Sequence, residues 1–184
     1  LTKAVEQFLR DVRWGELDPK LAEAHINVGL IQLGTRRYDV AKAAFERVLD
    51  LQGKNYDAMI GLGVAQRGLG DLDGAEASYK KAKDLDPKRG DAYFNLGVLY
   101  KEFRANKEND LKAMQSTAKV GRQFFQDFMG KDGSQDDKDE AQENIKAIDK
   151  LGLLEISWYT GQLKRIGRGA PTNPREPGLW GFAK

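Results

Sequence analysis

Few residues in this chain have the types and spacing that chemistry needs. Gly61-x-Gly63 invites a phosphate-binding reading, because paired glycines let a backbone approach a pyrophosphate at a helix N-terminus. The surroundings refuse it: Gln66 falls where a third small residue is required, and no β-branched, strand-like run precedes the pair. His25 is the single histidine and there is no cysteine, which removes thiol catalysis, Cys-ligated zinc and a His-based triad. A carboxylate-based enzyme would need two acids converging in a cleft. The acids here fall at helix termini or on polar faces. The stretch 131–140, KDGSQDDKDE, sets five acids against two bases, but its spacing is not that of a calcium loop and it reads as a solvated connection. No catalytic residue, metal or cofactor is expected.

The elements that position these residues follow from composition and period. The 184 residues are 40% apolar and 32% charged, with a formal net charge of +2, too balanced for a nucleic-acid or membrane surface over the whole chain. From Gln162 onward Lys164, Arg165, Arg168, Arg175 and Lys184 oppose only Glu176, so the basic excess sits at the end. No run reaches the length of a transmembrane helix. The chain starts at Leu1, from which a processed or truncated product is expected, with any signal or lipid anchor lying upstream. Displacing the sequence by 34 residues aligns Gly29 with Gly63 and Gly97, Ala24 with Ala58 and Ala92, and Val28 with Leu62 and Leu96. Ala41 meets Ala75, Phe45 meets Tyr79, and Gly53 meets Pro87. A fixed period of this size signals a solenoid.

These residues resemble the tetratricopeptide repeat (TPR) family, whose pattern runs Trp-x2-Leu-Gly-x2-Tyr, Ala-x3-Phe, Pro. The resemblance covers about residues 1–106. It implies an all-α, right-handed α-solenoid of helix-turn-helix repeats. The expected organisation is a partial repeat at 1–21 (Ala4, Phe8, Pro19), full repeats at 22–55 and 56–89, and a degenerate one with a long second helix at 90–130. An acidic loop and capping helix at 131–167 then form the C-terminal capping helical pair with the helix before them, and a Pro/Gly tail at 168–184 ends the chain. In the third repeat Asn109 and Ala113 stand where an alanine and an aromatic are due, and the pattern breaks there. Interior helix glycines cost about 1 kcal/mol each against alanine, so close helix contacts must recover that cost. Gly34, Gly68 and Gly70 are expected at helix ends or in the turn, where positive φ is often required, and His25 is expected to be a packing residue between repeats.

The family's concave face maps onto Ile26, Leu30, Ile60, Val64, Phe94 and Val98, with Asn27 and Asn95 beside them, Glu23, Asp57 and Asp91 along one edge, and Arg67 and Lys101 further on. Relatives that clamp a C-terminal carboxylate place Lys or Arg with Asn in the centre. Here the centre is aliphatic or Phe, so the expected partner is a protein or peptide of apolar or mixed apolar and basic character, with no nucleic acid. Pro171, Pro174 and Pro177 exclude a helix in the tail. Its Leu179, Trp180 and Phe182 are candidate anchors for this chain's groove or for another protein. The layout after the repeats is similar to bacterial cell-envelope TPR proteins, including TPR lipoproteins of myxobacterial gliding motility, which implies a periplasmic or outer-membrane-associated scaffold in a larger assembly. A structural subunit held by its tail and a cytoplasmic TPR adaptor or chaperone are the alternatives.

Overall fold

The computed structural model describes residues 19–166, with side chains from Leu21 to Leu151. The expectations for residues 1–18 and for the tail anchors Leu179, Trp180 and Phe182 lie outside the described residues. The chain divides into two compact units, residues 1–148 and 149–184; of the second, the described part is a helical run ending at Ile166.

Seven α-helices and no strand occur among the described residues: α1 Pro19–Gly34, α2 Tyr38–Leu51, α3 Tyr56–Gly68, α4 Leu72–Leu85, α5 Asp91–Val98, α6 Leu111–Met129 and α7 Gln135–Ile166. In the first unit they pack as successive helix pairs, giving the all-α solenoid that the period implies. Short polar side chains start the helices. Asn55 accepts from the Ala58 amide at 2.9 Å, Asp71 from Gly74 at 2.9 Å and Asp110 from Ala113 at 2.8 Å; such caps contribute about 1 kcal/mol each. Ser134 receives the Asp137 amide at 3.1 Å, so α7 begins at Gln135. Most of the expected acidic loop is therefore the first turn of a helix, where Asp136 and Asp137 complement the dipole.

Glycines and aromatics interlock inside each pair. A Cβ on Gly29 would lie 2.5 Å from the Phe45 ring, and one on Gly61 closer still, so Phe45 is wedged between two glycines. In the next repeat Gly63 faces the Tyr79 ring of its own helix pair. Both rings are fully buried. Burying a large apolar side chain is worth about 1.5–3 kcal/mol, which outweighs the helix cost of the glycine that admits it. The same geometry disposes of a phosphate site at Gly61 and Gly63, which lie inside α3 against rings. His25 is 1% exposed, and burial first, with the Arg47 charge second, lowers its pKa.

The third repeat runs through Leu99–Lys107 into the long second helix α6, Leu111–Met129. The ring against Gly97 is Phe125, 28 residues on, whereas Phe45 and Tyr79 follow their glycines by 16, so twelve residues are inserted. Gly121 takes the place of Ala41 and Ala75, four residues before the ring, and its missing Cβ admits the Gly97 carbonyl. Asn109 and Ala113 belong to the insert. It falls within the run from the π-helical stretch Leu99–Arg104 through a 3-10 turn Ala105–Lys107 to the first turns of α6. A π-helix shifts the register of one face, and this one sets both Tyr100 and Arg104 on Glu76 of α4, at 2.8 and 2.7 Å.

Gly34 and Gly68 end α1 and α3, and Gly70 lies in the turn after α3, as expected. Only Gly70 takes positive φ, +82°, while Gly34 and Gly68 are ordinary helical residues. The turn after α1 is made by Arg36, at φ +59°.

Candidate partner-binding groove

The first helices of successive repeats, α1, α3 and α5, carry the residues expected on the concave face, and α7 follows them in register. Ala141, Ile145 and Ile148 of α7 are buried at the spacing of Ala58, Leu62, Ala65 and of Ala92, Leu96, Leu99. Between neighbouring first helices the structure repeats one bridge. Arg67 of α3 reaches Asn95 of α5 at 3.4 Å and lies 5.2 Å over the Phe103 ring. Its equivalent Lys101 reaches Asn144 of α7 at 2.7 Å and Glu102 at 3.0 Å. One step earlier the equivalents of the base and the Asn are Leu33 and Gly61. No such bridge can form there.

At that interruption the groove opens into a cleft of about 300 Å³, walled by Ile26, Leu30 and Leu33 of α1 and by Ile60 and Val64 of α3, with Gly61 between them. The size suits one or two aliphatic side chains. Leu30 is 54% exposed, more than a helix facing its own core would allow. Asp57, Arg89 and Asp91 complete the lining. Arg89 donates to Asp57 at 2.8 Å and to Asp91 at 3.2 Å, and its guanidinium lies 3.9 Å over the Tyr56 ring. Burial lowers the Arg89 pKa and the two carboxylates more than restore it, leaving it raised. Tyr56 is held in turn by the Ala92 amide, which donates to its hydroxyl at 3.1 Å.

Of the thirteen residues expected on the groove, six line this cleft: Ile26, Leu30, Asp57, Ile60, Val64 and Asp91. Glu23 and Asn27 are exposed beside it. Arg67, Asn95 and Lys101 are engaged in the bridges, and Val98 is half-buried further along. Phe94 packs edge-on against Phe125 and Phe128, with centroids at 5.7 and 5.4 Å. Leu33, Gly61 and Arg89 were missed by sequence reasoning. The 34-residue lattice held the signal for the first two, because it sets an aliphatic and a glycine where the later repeats have a base and an Asn.

A larger cleft of about 410 Å³ lies between the turn after α3 and the insert, lined by Asp71, Asp73, Tyr100, Arg104, Lys107 and Glu108 among others. Several of its charges are already engaged within the chain. Arg104 binds Asp73 at 2.6 Å, and Thr117 donates to Glu108 at 2.9 Å. No group of three His, Cys, Asp or Glu side chains that could hold a metal occurs among the described residues.

Residues 28–90 match the tetratricopeptide repeat family. These repeats are tetratricopeptide repeats. The fold of the array is also that of solved tetratricopeptide domains. It is similar to the Arabidopsis OM64 TPR domain, with 16% identity and a TM-score of 0.56, covering 70% of this chain and 96% of that one. It is likewise similar to the Yersinia enterocolitica type III secretion translocator chaperone SycD, at 17% identity and TM-score 0.55, covering 73% and 96%. The Sgt2 TPR domain of Aspergillus fumigatus gives 14% identity and TM-score 0.52, covering 89% and 93%. No curated protein matches the chain. No helix among the described residues is long and apolar enough to cross a membrane.

Proposed function

We propose that this tetratricopeptide array is a protein-interaction adaptor without chemistry of its own, and that its docking position is the aliphatic cleft between α1 and α3. The carrying observation is the interrupted bridge: later first-helix junctions are closed by Arg67–Asn95 and Lys101–Asn144, while Leu33 and Gly61 leave the first one open. Tetratricopeptide solenoids offer such concave faces to other proteins, and a chaperone is among the solved structures of this fold. The setting we favour is an envelope assembly, on the resemblance to bacterial cell-envelope relatives; recovery of the native protein in the cytosolic fraction would turn the reading to a cytoplasmic adaptor.

The test is affinity capture from the native source with the full chain, a Leu30→Glu variant and a chain ending at residue 167. Leu30 is exposed enough for the helical signal to survive the substitution. Proteins retained by the full chain should be lost with Leu30→Glu and kept by the truncated chain. The reverse pattern would remove the cleft as the docking position and support a structural subunit held through Leu179, Trp180 and Phe182.

A further inference from the structure

We propose that the occupant of the α1/α3 cleft is a protein segment pairing an aliphatic side chain with an adjacent Lys or Arg, and that Arg89 holds the place of that cation until the segment binds. The inference rests on the docking position proposed above and adds the chemistry of the partner.

Charge complementarity carries it. Asp57 and Asp91 sit at the cleft mouth with Arg89 as the shared cation, so the trio keeps one negative charge, and the equivalent acid of the preceding repeat, Glu23, is exposed along the same edge. The wall beside them contains only aliphatic side chains, which offer a partner's charge no competing donor. A third carboxylate brought to this mouth would be repelled; a cation would be attracted. The pairs are also easily exchanged. The side chains of Asp57, Asp91 and Arg89 are 60%, 50% and 39% exposed, and ion pairs this open to water are weakly held. Arg89 has a second resting place on the Tyr56 ring, 3.9 Å away, so it keeps a favourable contact when it yields a carboxylate. The arrangement therefore works as an internal placeholder: it offsets one of the two acidic charges in the free protein and penalises partners lacking a cation.

The probe is a set of fluorescein-labelled twelve-residue peptides carrying two leucines four positions apart, flanked by Lys, Ser or Glu, titrated against the full chain by anisotropy at low salt. Lys-flanked members should bind about tenfold more tightly than Glu-flanked ones, with the preference shrinking at high salt. Asp57→Asn with Asp91→Asn should abolish the preference. Arg89→Gln should tighten binding of the Lys-flanked members, because the competitor is gone, whereas a merely structural Arg89 would loosen it. Equal binding of all three classes that Leu30→Glu still abolishes would overturn the cation inference and leave the cleft standing. Binding indifferent to Leu30→Glu, or no binding at all, would overturn the docking position itself. Circular dichroism of each variant shows that the array is folded.

Discussion

Replacing Gly63 by alanine sets two effects of known size against each other. An alanine inside a helix is favoured over glycine by about 1 kcal/mol. Against that, the added Cβ falls 2.7 Å from Cδ1 and 2.9 Å from Cζ of Tyr79, and closer to Cε1, inside any normal contact. The ring cannot swing away, because Tyr79 is completely buried. Forcing a methyl into a packed core costs about 1–3 kcal/mol, so the net change runs from near zero to about 2 kcal/mol of destabilisation. Gly34→Ala is the internal control. It also lies in a helix, its φ is outside the left-handed region, and nothing lies within 4 Å of its Cβ position. Gly34 is the last residue of α1 and recovers only part of the propensity term, so the difference between the two variants is about 0.5–2.5 kcal/mol and is mainly the clash. For a chain of this length each kcal/mol moves the melting midpoint by about 2–4 °C. Thermal unfolding followed at 222 nm should place Gly63→Ala below Gly34→Ala by several degrees. A Gly63→Ala protein melting with the control or above it would show that the ring gives way, and the close-approach account of the repeat glycines would fall.

Two further stability predictions rest on a buried hydroxyl and a half-buried carboxylate. The Tyr79 hydroxyl is buried without a hydrogen-bond partner among the described residues, and burial pushes its pKa up to about 12. Tyr79→Phe removes an unsatisfied group and matches Phe45 in the preceding repeat, so it should raise stability by about 1 kcal/mol in denaturant unfolding; a lower midpoint would mean the hydroxyl is satisfied. Burial raises the Glu76 pKa, but hydrogen bonds from Lys80 and Tyr100 and the charges of Lys80 and Arg104 outweigh it and hold the carboxyl below its ordinary value. With the folded pKa depressed, the stabilisation is complete above the unfolded value of 4.5 and is lost as pH falls through the folded value. Glu76→Gln should therefore lose stability at neutral pH and flatten the acid limb of the stability curve. An acid limb unchanged in the variant would assign that limb to other carboxylates.

The helix pairs of the central repeats were legible because small and large residues recur together at one interval; the expected 34-residue lattice names Gly63 and Tyr79, which the structure packs together. The third repeat was legible in its first helix and in the length of its second, but not in the register of the second. Twelve inserted residues move Gly121 and Phe125 out of the frame, and a fixed displacement of the sequence cannot see them, although their four-residue spacing is that of Ala41 and Phe45. Of the residues that the family resemblance assigns to the concave face, six line the α1/α3 cleft, whereas Phe94 packs against Phe125 and Phe128. The sequence did not tell which were already used. Arg67, Asn95 and Lys101 read as ligand-binding groups, and the fold spends them on neighbouring helices.

By itself, the sequence determined an all-helical repeat array resembling the tetratricopeptide family, because period and side-chain volume are properties of the chain written in one dimension. It also bounded the chemistry: one histidine, no cysteine, and no carboxylates spaced for a site. Only the tertiary structure decided where the groove is open. That choice depends on contacts between residues far apart in the chain, Arg67 with Asn95, Lys101 with Asn144, and Arg89 with Asp57. Whether a charged side chain faces solvent, a partner or its own protein is set by the distance between helices, and no spacing along a single strand of sequence contains that distance.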